Sequence, residues 1–182
     1  PGKVSNYSSL AEKDLNLRVA QLLKDLLEQD GYTVYMTRTE DKLNYSPGTK
    51  DIYQKRKQDL TARKHFIDQC GSDVAVSIHM NSYTDPKYYG AQTFYPPSSA
   101  DSERLAKSIQ NALIEVCDNN NRRTALVKKE RIILFRDLKV PTVIVECGFL
   151  SNKEEEAKLK TLEYQELLAK GIKQGIDNYF GK

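Results

Sequence analysis

The sequence predicts an α/β fold: a single domain with a mixed, mainly parallel sheet flanked by helices on both faces. Three observations carry this. Apolar residues recur at helical spacing from Leu15 to Leu27, and a Gly then leads into a β-branched run. A second helical stretch passes through Gly71 into the apolar run Asp73-Val-Ala-Val-Ser-Ile-His79. The alternation continues to the end of the chain, and alternating helices and strands are the pattern of a sheet built from βαβ units. The 182 residues fit one domain, since domains commonly run to about 100–200 residues.

The first helix is expected from Ser8 or Ser9, either of which can cap it, with Glu12 in its first turn and Leu15, Val19, Leu22, Leu23, Leu26 and Leu27 on its buried face. Gly31 ends it. Tyr32–Thr37 reads as a strand, and the polar, Pro- and Gly-containing stretch from Arg38 to Thr49 as a loop. A second helix is predicted over Ile52–Cys70, with apolar positions at Leu60, Ala62, Phe66 and Ile67. After the His79 strand and the loop Asn81–Tyr89 come a strand over Gly90–Tyr95, a stop at Pro96-Pro97, and a helix over Ser99–Cys117. A short apolar run, Ile132–Phe135, precedes the strand Pro141-Thr-Val-Ile-Val-Glu146, and the region Lys153–Phe180 is helical with a break near Thr161.

Composition excludes several classes. The longest apolar stretches are a few residues, far short of the roughly 20 needed to span a bilayer, so the chain is not membrane-spanning. The net charge of +3 comes from 28 basic and 25 acidic residues scattered among each other. The densest basic stretch holds Arg122, Arg123, Lys128, Lys129 and Arg131 and reads first as a solvated loop, so no nucleic-acid partner is expected. Cys70, Cys117 and Cys147 are odd in number and widely spaced, which argues against a disulfide framework. Alternation along its strand points Cys147 away from the face of Glu146 and makes it a buried thiol.

Two strands thus end in residues capable of metal or proton chemistry, His79 and Glu146. In open α/β sheets ligands sit beyond the carboxyl ends of the strands, where both side chains project. Glu12, in a first helical turn, lies at the same rim; its charge is equally explained by the helix dipole. His65 lies on a polar helix face and reads as a surface residue. A catalytic zinc commonly takes three protein ligands, and His79 and Glu12 leave the third unidentified.

The segments Glu12-Lys-Asp-Leu-Asn-Leu17, Gly31-Tyr-Thr-Val-Tyr-Met-Thr-Arg38, Ser77-Ile-His-Met-Asn-Ser82 and Pro141-Thr-Val-Ile-Val-Glu-Cys-Gly-Phe-Leu-Ser-Asn152 resemble the zinc-dependent N-acetylmuramoyl-L-alanine amidases of the amidase_3 family. They occur in that family's order and cover nearly the whole chain. Among its members the sequence looks most like the germination-specific, CwlD-type amidases of spore-forming bacteria. The resemblance implies that Glu12 and His79 are zinc ligands, that Glu146 is the catalytic carboxylate, and that the substrate is peptidoglycan. It also implies a third ligand, a His in a Gly-His-Gly-Gly loop after a first strand, a few residues before the Pro-Gly matched by Pro1 and Gly2. That His is not in this sequence, and its expected place, with its strand, is upstream of Pro1; the alternative is a metal-poor relative.

Within that reading, zinc polarises the lactyl amide carbonyl while Glu146 carries a proton from water to the departing alanine nitrogen. Burial at a strand end is expected to raise the pKa of Glu146. Asn81 is a candidate for orienting His79 or binding substrate, and otherwise a turn residue. Arg131 and Arg136 are candidates for meeting peptide carboxylates, and otherwise surface ion pairs. The expected setting is extracytoplasmic, in the cell wall or between the forespore membranes. There stem-peptide removal from spore cortex would precede muramic lactam formation. Two rivals stand beside this: a peptidoglycan-binding or regulatory module of the same fold, and a metal hydrolase acting on another amide. A need for a protein activator is left open.

Overall fold

The computed structural model describes residues 2–137 and 139–182. Five helices and four strands form one domain: α1 (Glu12–Gln29), α2 (Ile52–Gln69), β1 (Ala75–Asn81), β2 (Gln92–Tyr95), α3 (Ala100–Cys117), β3 (Leu126–Val127), β4 (Thr142–Phe149), α4 (Lys153–Leu159) and α5 (Leu162–Phe180), with a 3-10 turn at Ile133–Phe135. The strand order is β1-β4-β2-β3. β1 runs parallel to β4 and β2 parallel to β3, while β2 is antiparallel to β4. The mixed, mainly parallel α/β sheet is therefore as the sequence predicts.

Side chains alternate across β4 and divide its two jobs. Val143, Val145 and Cys147 are fully buried in the core with Val19, Leu105, Ile109, Leu168 and Ile172 of α1, α3 and α5. Glu146 alternates with them and takes the other face. The buried thiol of Cys147 is held far above its usual pKa by that burial.

The α3–α5 contact is close because α5 carries Gly171 and Gly175 where it crosses α3. A Cβ on Gly175 would stand 2.4 Å from Ile109 Cα. The Ser108 hydroxyl donates to Gly175 O at 2.7 Å, tying the two backbones.

A buried amide holds β2 to α3. Gln110 accepts from Thr93 N–H at 2.8 Å and donates to Ala91 O at 3.1 Å. Gln110→Met keeps the volume but strands a buried N–H, so unfolding titrations should show a loss of about 1–3 kcal/mol. An unchanged midpoint would show that the strand finds another acceptor.

Four expectations are corrected. The first helix starts at Glu12 behind Ala11, which makes no side-chain cap, rather than at Ser8 or Ser9. Ser9 has a positive φ of 59°, and the Ser8 hydroxyl is drawn instead to Glu156. The C-terminal end is as expected: Gly31, at φ 81°, takes the left-handed conformation open to glycine.

Tyr32–Thr37 joins no ladder among the described residues. Strand pairing requires chains about 4.8 Å apart, and a cavity of about 840 Å³ lies between this segment and β1. Val34, Met36, Val76 and Ile78 line its walls, with Leu23 and Leu27 of α1. For the same reason β1, read as a buried strand, is only partly buried along Ala75–His79. It is a sheet edge.

The predicted apolar face of α2 is also not a core face. Phe66 is 39% exposed and Ala62 is exposed, whereas Asp59 is 3% exposed. Asp59 accepts from Asn44 N–H at 2.9 Å and from Arg63 of its own helix at 2.8 Å, so at this position α2 is tied to the preceding loop through a buried carboxylate rather than an apolar side chain. The short apolar run Ile132–Phe135 contains a 3-10 turn, with Leu134 buried.

Candidate active site

The two strand ends meet directly. His79 of β1 and Glu146 of β4 are register partners in a parallel ladder, which puts both side chains on one face. α1 begins at the same rim and brings Glu12 to them: His79 Nδ1 and Glu12 Oε1 are 2.8 Å apart. The other Glu12 oxygen accepts from Lys3 N–H at 2.8 Å, and Asn16 donates to Oε1 at 3.4 Å.

Gly2 makes that approach possible. A Cβ there would fall 2.4 Å from Glu12 Oε2, so the chain before α1 can lie against the carboxylate only without a side chain at this position. Pro1 lies outside the described residues.

The imidazole is fixed from its far side as well. Ser77 Oγ lies 3.1 Å from His79 Nε2. Strand periodicity alone could have identified Ser77, two residues before His79 and so on the same face.

Charge separates the two carboxyl groups. Burial pushes Glu12 upward, but hydrogen bonds from His79 and from the Lys3 amide outweigh it and hold Glu12 below its ordinary value. Glu146 is raised by burial, which outweighs the opposing charge of His79; the charge of Glu12 adds to the rise and that of Lys128 opposes it. Burial opposes a charged His79, yet its contact with Glu12 and the charges of both carboxylates carry its pKa above the ordinary value. Two carboxylates set apart in this way are suited to different roles, one ionised and one exchanging a proton.

Glu146 has a further peculiarity. Its Oε2 is buried without any hydrogen-bond partner. Among the described residues no group of three or more His, Cys, Asp or Glu is arranged to hold a metal ion.

The remaining candidates sit further out. Asn81 ends β1, where its Oδ1 accepts from Ser82 N–H at 2.8 Å and its backbone oxygen from Leu150 N–H at 2.8 Å; it shapes the turn. Arg131 and Arg136 are exposed, and among the described residues their side chains have no hydrogen-bond or ion-pair partner. His65 is exposed, as expected.

Two residues on this face escaped the sequence analysis. Gln92 of β2 is the antiparallel register partner of Glu146 and is held by Arg123 at 2.8 Å. Lys128, just after β3, stands over the Phe94 ring at 4.5 Å. Neither strand pairing can be read from local pattern.

Residues 1–178 match the Amidase_3 family, N-acetylmuramoyl-L-alanine amidase. The chain is 35% identical over 171 residues to the germination-specific N-acetylmuramoyl-L-alanine amidase of Bacillus subtilis (strain 168), spanning 94% of this chain and 71% of that protein. It overlays the CwlD amidase from Clostridioides difficile, solved in complex with the GerS lipoprotein, with a TM-score of 0.95 and 40% identity over 100% of this chain and 92% of that one. An N-acetylmuramoyl-L-alanine amidase from Clostridium difficile 630 follows, with a TM-score of 0.85 and 29% identity over 100% of this chain and 90% of that one. A family match across nearly every residue, joined to a shared fold, places this chain in the N-acetylmuramoyl-L-alanine amidase (Amidase_3) family, where it most resembles the CwlD type.

Proposed function

We propose that this chain hydrolyses the amide joining the lactyl group of N-acetylmuramic acid to L-alanine in bacterial peptidoglycan, with Glu146 as catalytic carboxylate and zinc held by Glu12, His79 and a His preceding Pro1. One observation carries the reading: the orphaned, buried Glu146 Oε2 on the face that it shares with the Glu12–His79 pair. An unpartnered buried acceptor costs about 1–3 kcal/mol, and a carboxylate kept in that state is free to take a proton from water.

The donor set fits the metal. Imidazole nitrogen and carboxylate oxygen are zinc ligand types, and here they already face each other. Zinc, when bound, polarises the amide carbonyl and lowers the pKa of a water beside it. Glu146 would take a proton from the attacking water as its oxygen bonds the amide carbonyl carbon, and would deliver that proton to the alanine nitrogen as the C–N bond breaks, acting as base and then as acid. Glu12 stays ionised. Ser77, at His79 Nε2, orients the imidazole from the side away from Glu12.

The third ligand has a route into the site. Gly2 and Lys3 pack on Glu12 at the carboxyl end of β1, and the cavity between β1 and Tyr32–Arg38 opens beside it. Asn81, Arg131 and Arg136 remain candidates for holding substrate.

If the kinship with germination-specific amidases extends to role, the substrate is spore cortex peptidoglycan, and loss of the stem peptide frees the lactyl carboxyl that muramic lactam requires. Action is then outside the cytoplasmic membrane. No helix among the described residues is long and apolar enough to cross one. The CwlD amidase was solved with a lipoprotein bound, so the assay includes a lipoprotein partner as one arm.

Purified muropeptides treated with the full-length protein should yield free stem peptides and glycans ending in lactyl carboxylates. Cleavage elsewhere overturns the bond assignment; stoichiometric zinc without released peptide points to a binding module. His79→Ala in the same protein should lower zinc affinity by more than the roughly 10–100-fold seen on losing an outer-shell partner. Unchanged zinc content by elemental analysis would remove His79 from the ligand set.

A further inference from the structure

One cation near Glu146 makes no close ion pair among the described residues. Gln92 is the register partner of Glu146, and Phe94, two residues along β2, is the partner of Ile144 on the same face. Such diagonal neighbours lie about 7–8 Å apart. β3 pairs Leu126 with Phe94 and Val127 with Tyr95, and the next amide, Lys128 N–H, donates to Tyr95 O at 2.8 Å. Backbone pairing therefore fixes the root of the Lys128 side chain, and its ammonium rests over the Phe94 ring at 4.5 Å.

Lys128 is half-buried, and among the described residues no carboxylate lies within 4 Å of its nitrogen. Of the other half-buried lysines, Lys13, Lys24, Lys64 and Lys173 have such partners, while Lys55, over the Tyr45 ring at 4.5 Å, has none but lies on α2, away from β4. A partly desolvated ammonium held on an aromatic face next to a reacting centre is an anion-binding group awaiting its anion.

We propose that Lys128 is a substrate-binding residue that takes a carboxylate of the substrate's peptide half and so sets which way the substrate lies across Glu146. This rests on the function proposed above. The chemistry selects the peptide half: the sugar side of the scissile amide offers neutral hydroxyl and acetamido groups, while the peptide side carries the carboxylates. Arg131 and Arg136 remain exposed outposts of the same polarity. Lys128 is the cation that strand pairing delivers to the face of Glu146.

The competing role is purely electrostatic, with Lys128 favouring ionised Glu146 and touching no substrate. Two muramoyl-peptide substrates separate the roles, one with free peptide carboxylates and one with those carboxylates amidated. In the full-length protein Lys128→Met should raise KM for the acidic substrate by about 10-fold or more, the scale of a lost charge-assisted hydrogen bond. It should leave kcat, and both constants for the amidated substrate, nearly unchanged. Lys128→Arg should restore most of the loss, and Lys129→Gln should have no effect. An equal loss on both substrates, or no loss on either, overturns the proposal.

Equilibrium binding of the same two ligands to wild type and Lys128→Met reads the discrimination without turnover. If the ligands bind but are not cleaved, the hydrolase reading fails while Lys128 is still judged by whether the variant loses preference for the acidic ligand. If wild type binds both ligands equally, the proposal falls.

Discussion

Glu146→Gln should lower turnover of muropeptides by about 10²–10⁴-fold, the usual contribution of a positioned proton carrier, while making the metal-free fold more stable at alkaline pH. The two effects share one cause. The Glu146 pKa is raised above the ordinary 4.5, first by burial. Because the folded pKa exceeds the unfolded one, the folded state holds the proton more tightly. Stability is therefore highest at acid pH and declines as pH rises from the unfolded value through the folded one. Above that window the ionised carboxylate is a standing cost, and its buried Oε2 has no donor to offset it.

Gln cannot ionise and avoids this cost. Its advantage should grow with pH and then level off. The comparison is made in chelator-treated protein and at a pH above the raised pKa of His79, where the variant no longer forfeits an attraction between Glu146 and a charged imidazole. Melting temperatures across pH and single-turnover kinetics on muropeptides check the two halves. Retained turnover would refute the catalytic role. A stability deficit at high pH would refute the claim that burial dominates the charge of Glu146.

What could be read from the sequence followed from local pattern. Period-two alternation set Cys147 on the face opposite Glu146, and the structure repeats that division, with Val143 and Val145 beside Cys147 in the core. The two apolar runs ending in His79 and Glu146 proved to be direct register partners, because parallel strands of one sheet finish at one rim. Glu12, equally well explained by a helix dipole, turned out to contact His79. That choice depends on a contact 67 residues away in sequence, which helix periodicity does not encode.

The failures share a physical origin in long-range partners. Tyr32–Thr37 has strand composition, yet a strand is a relation between chains, and across its cavity no neighbour is near enough to bond. α2 has apolar residues at helical spacing, but its buried position is Asp59, whose carboxylate holds the Asn44 amide of the preceding loop. Ser8 is a good capping residue whose hydroxyl is claimed by Glu156, 148 residues on. Lys128 looked like one charge in a solvated basic loop. Only the pairing of β3 with β2, and of β2 antiparallel to β4, brings it to the face of Glu146.

Gly175→Ala should destabilise the domain, against the intrinsic preference of the helix. In an ordinary helix interior the same change stabilises by about 1 kcal/mol, since Ala loses less backbone entropy than Gly. Here the new methyl would stand 2.4 Å from Ile109 Cα and 2.9 Å from Ile109 N. These are backbone atoms of a neighbouring helix and cannot rotate away. α3 and α5 must separate, and the layer of Leu105, Ile109, Leu168 and Ile172 between them is fully buried, so the strain spreads through the core.

Overpacking of this kind costs about 1–3 kcal/mol and at times more. With backbone as the obstacle the upper end applies, leaving a net loss of about 2 kcal/mol after the helix gain is subtracted. For a domain of this size that lowers the melting temperature by about 4–8 °C. Gly171→Ala is the internal control. Its methyl would meet Leu113 Cδ2 at 3.1 Å, the far end of a side chain that can yield. It should cost less than half as much. Equal losses at the two positions would mean that helix separation, rather than the single approach at Ile109, limits the packing of α5 on α3, and a gain at Gly175 would show that the crossing is looser than 2.4 Å implies.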